Sequence, residues 1–146
     1  MNQPHYAFKH ASKKNTFSFV SIGKRGQIKK VVQFRLIEDN VYNLGFGDYS
    51  EELKTLDDMV VTNNGDMEKV LATIIAIIEH FFTGNPDVHI FLTGSTPSRT
   101  RLYQIVINSH HDDLASHFEI YGLQQNQWRR FRKNINYESF LILKLL

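Results

Sequence analysis

Cysteine is absent from the 146-residue chain, which excludes disulfide bonds and thiolate metal ligands and is typical of a reducing compartment. Long hydrophobic runs are missing too, since the longest, IIAII at residues 74–78, is far too short to cross a bilayer. The first ten residues, MNQPHYAFKH, contain no apolar stretch of signal-peptide length. We therefore expect a cytoplasmic protein with no membrane partner.

Charge of either sign is not in large excess, because the formal net charge is only +2. The charges are nevertheless segregated along the chain. Residues 1–35 carry eight Lys or Arg and no acid, residues 36–98 carry eleven acids and two Lys, and residues 99–146 carry seven bases and four acids. This pattern predicts either a basic face that attracts polyanions or segments that neutralise one another in space.

The length and the 42% hydrophobic content predict a single domain over residues 1–146. Its first sixty residues indicate a meander of antiparallel strands, because apolar side chains alternate in TFSFVSI, VVQFRLI and VYNLGFG. Turns are expected at GKRG (23–26) and EDN (38–40), and a short strand at DMVVT (58–62). Side chains predicted to share a face within each strand are Phe17 with Phe19, Val32 with Phe34 and Leu36, and Tyr42 with Leu44 and Phe46.

The clearest helix is predicted over residues 66–83. Asp66 is a good N-cap, and apolar residues recur at helical spacing from Val70 to Phe82. Gly84 is available for a left-handed C-terminal cap, and Pro86 blocks continuation. The wide apolar stripe predicts that this helix lies across the sheet and forms the centre of the core.

The segment FLTGSTPSRTRLYQIVI, residues 91–107, reads as a strand, a sharp turn at Gly94 and a second helix over residues 97–110. Thr96 suits the N-cap and Pro97 the first helical position. Free amides at such a helix start stabilise an anion, and nearby hydroxyl and guanidinium groups would strengthen the site. The predicted anion-site residues are Gly94, Ser95, Thr96, Ser98, Arg99 and Arg101.

The two arginines cannot both serve one compact anion, because residues two apart point about 200° from each other around a helix. Arg99 shares its stripe with Tyr103, whereas Arg101 points the other way. The alternative is that the strand, glycine, N-cap and proline are the usual structural signals of a helix start and bind no ligand. The segment also lacks the second glycine followed by Lys and Ser/Thr of a phosphate loop.

The C-terminal third predicts three strands, SHFEIYGL, QWRRFRK and YESFLILKLL. In the second, Trp128, Arg130 and Arg132 would share one face, with Arg129, Phe131 and Lys133 on the other. Aromatic side chains that stack on bases, beside cations that meet phosphates, are typical of single-strand nucleic-acid binding. The alternative is an edge strand whose charges discourage edge pairing while its aromatics pack into the core.

Four blocks of the sequence are similar to those of a known family: EDNVYNLGFGD, DDMVVTNNGDMEKVLATI, IFLTGSTPSRTRLYQ and INYESFLI. On these blocks, which occur in the family's order, the chain resembles a family of short bacterial proteins of unknown function, and the resemblance extends over about residues 6–143. The resemblance implies a single small cytoplasmic α+β domain. It carries over no catalytic or binding residue.

We therefore expect an α+β fold in which a curved, largely antiparallel sheet wraps around one long helix, with a second helix on a flank. The leading function hypothesis is a binding module for single-stranded nucleic acid or another phosphate-bearing ligand. The second hypothesis is a protein-interaction or self-assembly domain that is dimeric through its apolar C-terminal strand. The last is an enzyme acting on a phosphate-bearing substrate, with Asp57 or Asp58 as base or metal ligand. No cofactor and no metal are expected, since acids such as Asp48 and Asp66 suit turns and caps.

Overall fold

The computed structural model describes residues 4–11, 15–57, 63–94 and 96–145. They form two compact units, each considered by itself: an N-terminal unit of Asn2–Arg35 with Gly45–Gly84, and a C-terminal unit of Leu36–Leu44 with Asn85–Leu146. The strands are β1 (Lys9–His10), β2 (Thr16–Gly23), β3 (Gly26–Glu38), β4 (Val41–Ser50), β5 (Thr55–Asp57), β6 (His89–Leu92), β7 (Phe118–Gln124), β8 (Gln127–Arg130) and β9 (Ser139–Lys144). The helices are α1 (Met67–Gly84), α2 (Pro97–Ser109) and α3 (His111–Ala115).

The fold is α+β with a mostly antiparallel sheet, as the strand patterns predict. In the N-terminal unit β1 pairs with β2, β2 with β3, and β4 with β5, all antiparallel. The two-residue turn at Lys24 and Arg25 joins β2 to β3, where Gly23 pairs with Gly26. Gly26 has φ +86°, a left-handed conformation that glycine adopts without strain. That the sheet wraps around one long helix stays a prediction.

Helix α1 supplies much of the apolar core of the N-terminal unit. Its buried face meets the aromatic side chains of β2 and β3, and Phe81 stacks on Phe34 with ring centroids 4.0 Å apart. Such an aromatic pair adds about 0.5–1.5 kcal/mol beyond the burial of its area. No helix in the described ranges is long and apolar enough to cross a membrane.

The segregated charges of the sequence are brought together within this unit. Lys30, 1% exposed, donates to Asp48 at 2.6 Å. The sequence places ten bases and eight acids in the N-terminal unit, and seven of each in the C-terminal unit. The first thirty-five residues therefore do not make a purely basic unit, and the segments that neutralise one another are the better reading of the charge pattern.

A buried hydrogen-bond network fixes the β2–β3 turn. The Asn64 side chain, in a residue 2% exposed, accepts from the Arg25 amide at 2.6 Å and donates to the Gly26 carbonyl at 2.9 Å and to Ser21 Oγ at 3.1 Å. Gly23 is required beside it, because a Cβ there would lie 2.0 Å from the Asn64 carbonyl oxygen. One buried asparagine thus ties the two central backbone groups of the turn to the buried Ser21.

A second cluster links the N-terminal segment to the start of α1. The Asp66 carboxylate accepts from the Tyr6 hydroxyl at 2.5 Å and from Ser21 Oγ at 2.6 Å. The Tyr6 hydroxyl also accepts from the Ile22 amide at 3.0 Å. Asp66 does precede α1, as predicted, but its described side-chain bonds reach β2 and the N-terminal segment.

The C-terminal unit is a sheet in the order β4–β6–β9–β7–β8. Only the β4–β6 pair, Val41 to Asn43 beside His89 to Phe91, is parallel among the pairings described in this unit. The apolar strand β9 lies between β6 and β7, so its backbone is paired on both sides. Helices α2 and α3 follow β6 in the chain, and both contribute buried side chains, Ile107 and Leu114.

Several details differ from the sequence expectations. Leu36 was expected to share a buried face with Phe34 but is 58% exposed, because β3 is 13 residues long and the burial of its side chains ends at Phe34. Gly84 is the last residue of α1 and lacks the predicted left-handed φ. The strand predicted at 58–62 lies outside the described residues, and the single domain stays a prediction.

Removing the Asn64 side chain is expected to destabilise the protein. Asn64→Ala removes the side-chain hydrogen bonds to the Arg25 amide, the Gly26 carbonyl and the buried Ser21 Oγ, at a cost of about 1–3 kcal/mol. The free energy of unfolding from urea titration measures the loss. Asn63→Ala is the matched control, because Asn63 is exposed and its described side-chain bond is to the nearby Gly65 amide. Equal losses in both variants would contradict the role of Asn64.

Alkaline stability should depend on Tyr6. Burial, and then the hydrogen bond to Asp66, raise the pKa of Tyr6 above its ordinary value of 10.0. A raised pKa in the folded state means that the stabilisation is complete below about pH 10 and is lost as the pH rises through the folded-state pKa. Tyr6→Phe should therefore show a shallower fall of unfolding free energy between about pH 9 and pH 11. Identical pH profiles for the variant and the parent would refute this.

Candidate nucleic-acid interface

The start of α2 forms as the sequence predicts. Thr96 is the N-cap, its Oγ1 accepts from the Arg99 amide at 3.2 Å, and Pro97 begins the helix. Gly94 packs against the first turn so closely that a Cβ would lie 2.3 Å from Arg99 Cβ, and its amide donates to Thr100 Oγ1 at 2.9 Å. At the Arg99 amide, therefore, the protein's own side chain stands where an anion was expected.

The residues predicted to bind an anion divide between different surroundings. Arg99 is 7% exposed, and its guanidinium lies 5.4 Å from the centre of the Tyr103 ring. Arg101 is exposed and points elsewhere, as the helical spacing requires. Ser98 is exposed, and Ser95 lies outside the described residues. Of the two arginines, Arg101 is the one that solvent and a ligand reach.

Gly94, Thr96 and Arg101 line one open groove of about 620 Å³. Its other walls come from α2 and from the segment that precedes β9. The remaining lining residues are Thr93, Pro97, Thr100, Gln104, Asn136, Tyr137 and Glu138. The groove is mostly polar in its side chains and holds one cation and one carboxylate.

The second half of the predicted site lies on β8, which is an edge strand because it pairs with β7 alone. All four residues of β8 are exposed, and Trp128 is 42% exposed. Phe131 is buried, and its amide donates to the Ile120 carbonyl at 2.9 Å. This bond extends the register of β8 with β7 by one residue beyond Arg130, the last residue of the strand. The expectation that Arg132 shares its face with Trp128 is wrong, because Arg132 follows the strand and its amide donates to the Tyr137 hydroxyl.

Strand register divides the C-terminal unit into two faces. Successive side chains alternate across a strand, so the buried Phe140 and Ile142 on β9 lie opposite Leu141 and Leu143. The buried face meets the helices through Phe131, whose ring contacts both Phe140 and His111 of α3. We call the other side the open face: Val41, Asn43, His89, Phe91, Glu119, Tyr121, Leu123, Trp128, Arg130, Leu141 and Leu143.

Every residue of the open face is half-buried or exposed, whereas its neighbours in sequence on β6, β7 and β9 are buried, apart from the terminal Gln124 and Lys144. Ser139, a small residue on the same side as the open face, is buried. The face is also unusually apolar at its centre. An antiparallel sheet with one covered face normally alternates apolar and polar side chains, but here Phe91, Leu141 and Tyr121 are neighbours across three strands. The open face is the largest departure from the ordinary pattern in this unit.

Two aromatic side chains contact each other across the open face of the C-terminal unit. Two strands separate β6 from β8, a spacing of about 14 Å in a flat sheet. The ring centroids of Phe91 on β6 and Trp128 on β8 are nevertheless only 6.1 Å apart, in an edge-to-face contact with an interplanar angle of 82°. The two aromatic side chains therefore lean toward each other across the open face.

Arg130 shares the open face with this aromatic pair, and further arginines lie elsewhere in the unit. Arg130 reaches Glu119 at 3.0 Å and lies 5.7 Å from the centre of the Tyr121 ring. Within the described part of the chain, Arg101, Arg129 and Arg132 are exposed and have no carboxylate within 4.0 Å. Three guanidinium groups are thus available to an anionic ligand without first breaking an ion pair.

The groove and the open face meet at one end of the sheet. Thr93, which lines the groove, follows Leu92 at the end of β6. The Glu138 amide, on the opposite wall, donates to the Leu123 carbonyl at 2.8 Å, and Leu123 pairs directly with Trp128. The groove therefore lies at the end of the sheet where Leu123 pairs with Trp128.

Sequence reasoning missed three residues of this interface. Phe91 and Tyr121 were assigned to strands without a face, and Glu138 was not considered. Their positions depend on which strands pair, and local patterns do not contain that information. The segment FLIL (140–143) is the signal in the sequence that indicates an apolar second face. Its residues are all apolar, so alternation along the strand makes both sides of it apolar.

Histidine and acidic residues do not assemble a metal centre in the described ranges. Asp48 pairs with Lys30, and Asp66 binds Tyr6 and Ser21. The segment SHHDD (109–113) contains two histidines and two acids. It divides between the end of α2 and the short α3, whose first turn contains Asp112 and Asp113. Acids at a helix start are favoured by the helix dipole, so their position has a structural explanation.

A model of a protein family described as a family of unknown function matches residues 2–145 of the chain. This confirms the family resemblance, while the bacterial origin and the cytoplasmic location stay predictions. No curated protein and no solved structure matches the chain.

The wall of the groove depends on a close contact between Gly122 and Tyr137. A Cβ on Gly122 would lie 2.3 Å from the Tyr137 ring. Tyr137 is buried, and its backbone amide donates to the Gln104 side chain. Gly122→Ala should therefore lower the unfolding free energy by about 1–3 kcal/mol through overpacking. Gly84→Ala is the control, because no atom lies within 4 Å of its Cβ position and alanine is favoured in a helix. Chemical denaturation of both variants checks the contrast, which an undiminished stability of Gly122→Ala would contradict.

Proposed function

The chain belongs to DUF6934, a family of unknown function, and we propose that its C-terminal unit binds single-stranded nucleic acid on the open face. The observation that carries the proposal is the exposed Trp128 held edge-to-face against Phe91 on the open face of the sheet. Bases of any sequence stack on such side chains, and each stacked base contributes about 1–3 kcal/mol. A duplex hides these base faces, so the ligand is a single strand.

The available cations supply the second requirement. Arg129 and Arg130 lie next to each other on β8, and Arg132 follows the strand. Guanidinium groups bind phosphate oxygens through paired hydrogen bonds, and the backbone of a single strand passes a phosphate at every nucleotide. Trp128 and Arg130 share the open face, so stacking and phosphate contacts can occur side by side.

Self-association is the alternative that the surface of the unit makes less favourable. Strand β9 is paired on both sides, so a dimer formed by strand pairing would have to use the edge of β8. Antiparallel pairing of two β8 strands would bring arginines of one copy near those of the other, and like charges at an edge oppose pairing. A dimer would therefore compete poorly with an anionic ligand for this edge.

The catalytic alternative has little support. Asp58 lies outside the described residues, and Asp57 closes β5 in the N-terminal unit. In the C-terminal unit the carboxylate that lines the groove is Glu138. Binding is therefore the function that the arrangement of the C-terminal unit favours.

Trp128 gives a direct test, because it is the single tryptophan of the chain and its fluorescence reports on the open face. Addition of oligo-uridine or oligo-thymidine of about 12 nucleotides, a length typical of such sites, should quench its emission at low salt. In fluorescence anisotropy with a labelled oligonucleotide, Trp128→Ala should weaken binding roughly 5- to 150-fold, the loss of one stacked base. Leu53→Ala, which truncates an exposed apolar residue of the N-terminal unit, is the matched control and should bind normally.

The phosphate contacts are separable from stacking by their salt dependence. Each phosphate neutralised on a single strand adds about 0.7 to the slope of log affinity against log salt. Arg130→Gln, beside Trp128 on the open face, should reduce this slope by about one such step, whereas Arg35→Gln in the N-terminal unit should leave it unchanged. Absence of binding to either oligonucleotide at low salt, or binding that does not respond to salt, would refute the proposal, and light scattering of the same samples would reveal a dimer.

A further inference from the structure

The groove beside the open face contains two opposite charges that do not pair with each other. Arg101 and Glu138 both line it, and both are exposed. Within the described residues neither forms an ion pair within 4.0 Å. A ligand that satisfies both must offer an anionic group to the guanidinium and hydrogen-bond donors to the carboxylate.

The 3′-terminal nucleotide of an RNA strand has this combination of groups. Its phosphate joins it to the rest of the strand, and its ribose ends in free 2′- and 3′-hydroxyls, which donate hydrogen bonds. A carboxylate accepts such bonds strongly, and it repels a terminal phosphate in the same place. Thr93 and Asn136 add neutral hydrogen-bonding side chains to the same groove.

The position of the groove relative to the open face supports this assignment. Glu138 is tied by its amide to Leu123, which pairs with Trp128, so Glu138 and Trp128 are separated by two strand spacings, about 10 Å. That distance is spanned by one to two nucleotides of an extended single strand. The volume of about 620 Å³ is within the range of sites for small organic ligands.

We propose that the groove between Arg101 and Glu138 receives the 3′-hydroxyl end of an RNA strand whose preceding bases lie on the open face. Arg101 binds the phosphate that leads into the last nucleotide, and Glu138 accepts from its ribose hydroxyls. This inference rests on the proposed function, since the strand reaches the groove along Trp128. It adds a preference for a free end and for ribose.

The test compares three labelled oligo-uridine strands of equal length: one with a 3′-hydroxyl end, one with a 3′-phosphate, and one whose last residue lacks both terminal hydroxyls. The parent protein should bind the first about tenfold more tightly than the others, because one hydrogen bond to a charged group is lost or replaced by repulsion. Glu138→Gln should reduce the discrimination against the 3′-phosphate to within about twofold, since the amide no longer repels it. Asp87→Asn, a change of another exposed acid in the same unit, should preserve it.

The outcomes distinguish this inference from the proposed function. If no strand binds, the proposed function fails and the inference fails with it. If all three strands bind equally and Glu138→Gln changes nothing, while Trp128→Ala still weakens binding, the open face binds nucleic acid and the assignment of the groove is overturned. Discrimination that survives in Glu138→Gln would likewise overturn the role of Glu138.

Discussion

Side-chain alternation along β9 is the constraint on which the C-terminal unit depends. Phe140 and Ile142 are buried on one side, Leu141 and Leu143 lie on the other, and pairing with β6 and β7 fixes that register on both edges of the strand. A slip of one residue would exchange the two sets. The register that builds the core therefore also decides which side chains the open face presents, so stability and surface chemistry are set by the same hydrogen bonds.

The helices of this unit explain why a second face is left uncovered. Both α2 and α3 come from one connection between β6 and β7, and the contact between His111 and Phe131 places them on the side of Phe140. A sheet covered on one side normally turns polar residues to the other. Phe91, Leu141 and Trp128 break that rule, and departures from local consistency are most often found where a protein binds something.

Local patterns predicted the elements well and their chemistry less well. The capping sequence at Thr96 and Pro97, the glycine turn at Lys24 and Arg25, and the stripe from Val70 to Phe82 are short-range signals, and the structure follows them. The same signals favoured an anion at the start of α2, but they contain no information on which side chains fold back onto the chain, as Thr96 does onto the Arg99 amide. Pairing of distant strands, which brings Phe91 to Trp128, was beyond any local pattern.

The Tyr6 hydroxyl occupies the position of a missing strand. Only Phe17 and Ser18 of β2 pair with β1, so the Ile22 amide faces away from β3 and finds its acceptor in a side chain instead of a neighbouring backbone. A chain cleaved after residue 6 would lose the Tyr6 hydroxyl, and the backbone amide of the exposed Ile22 would lose its acceptor. An open strand edge can pair with a strand of another chain, so the hydroxyl of Tyr6 also protects this end of β2 from pairing with a second molecule.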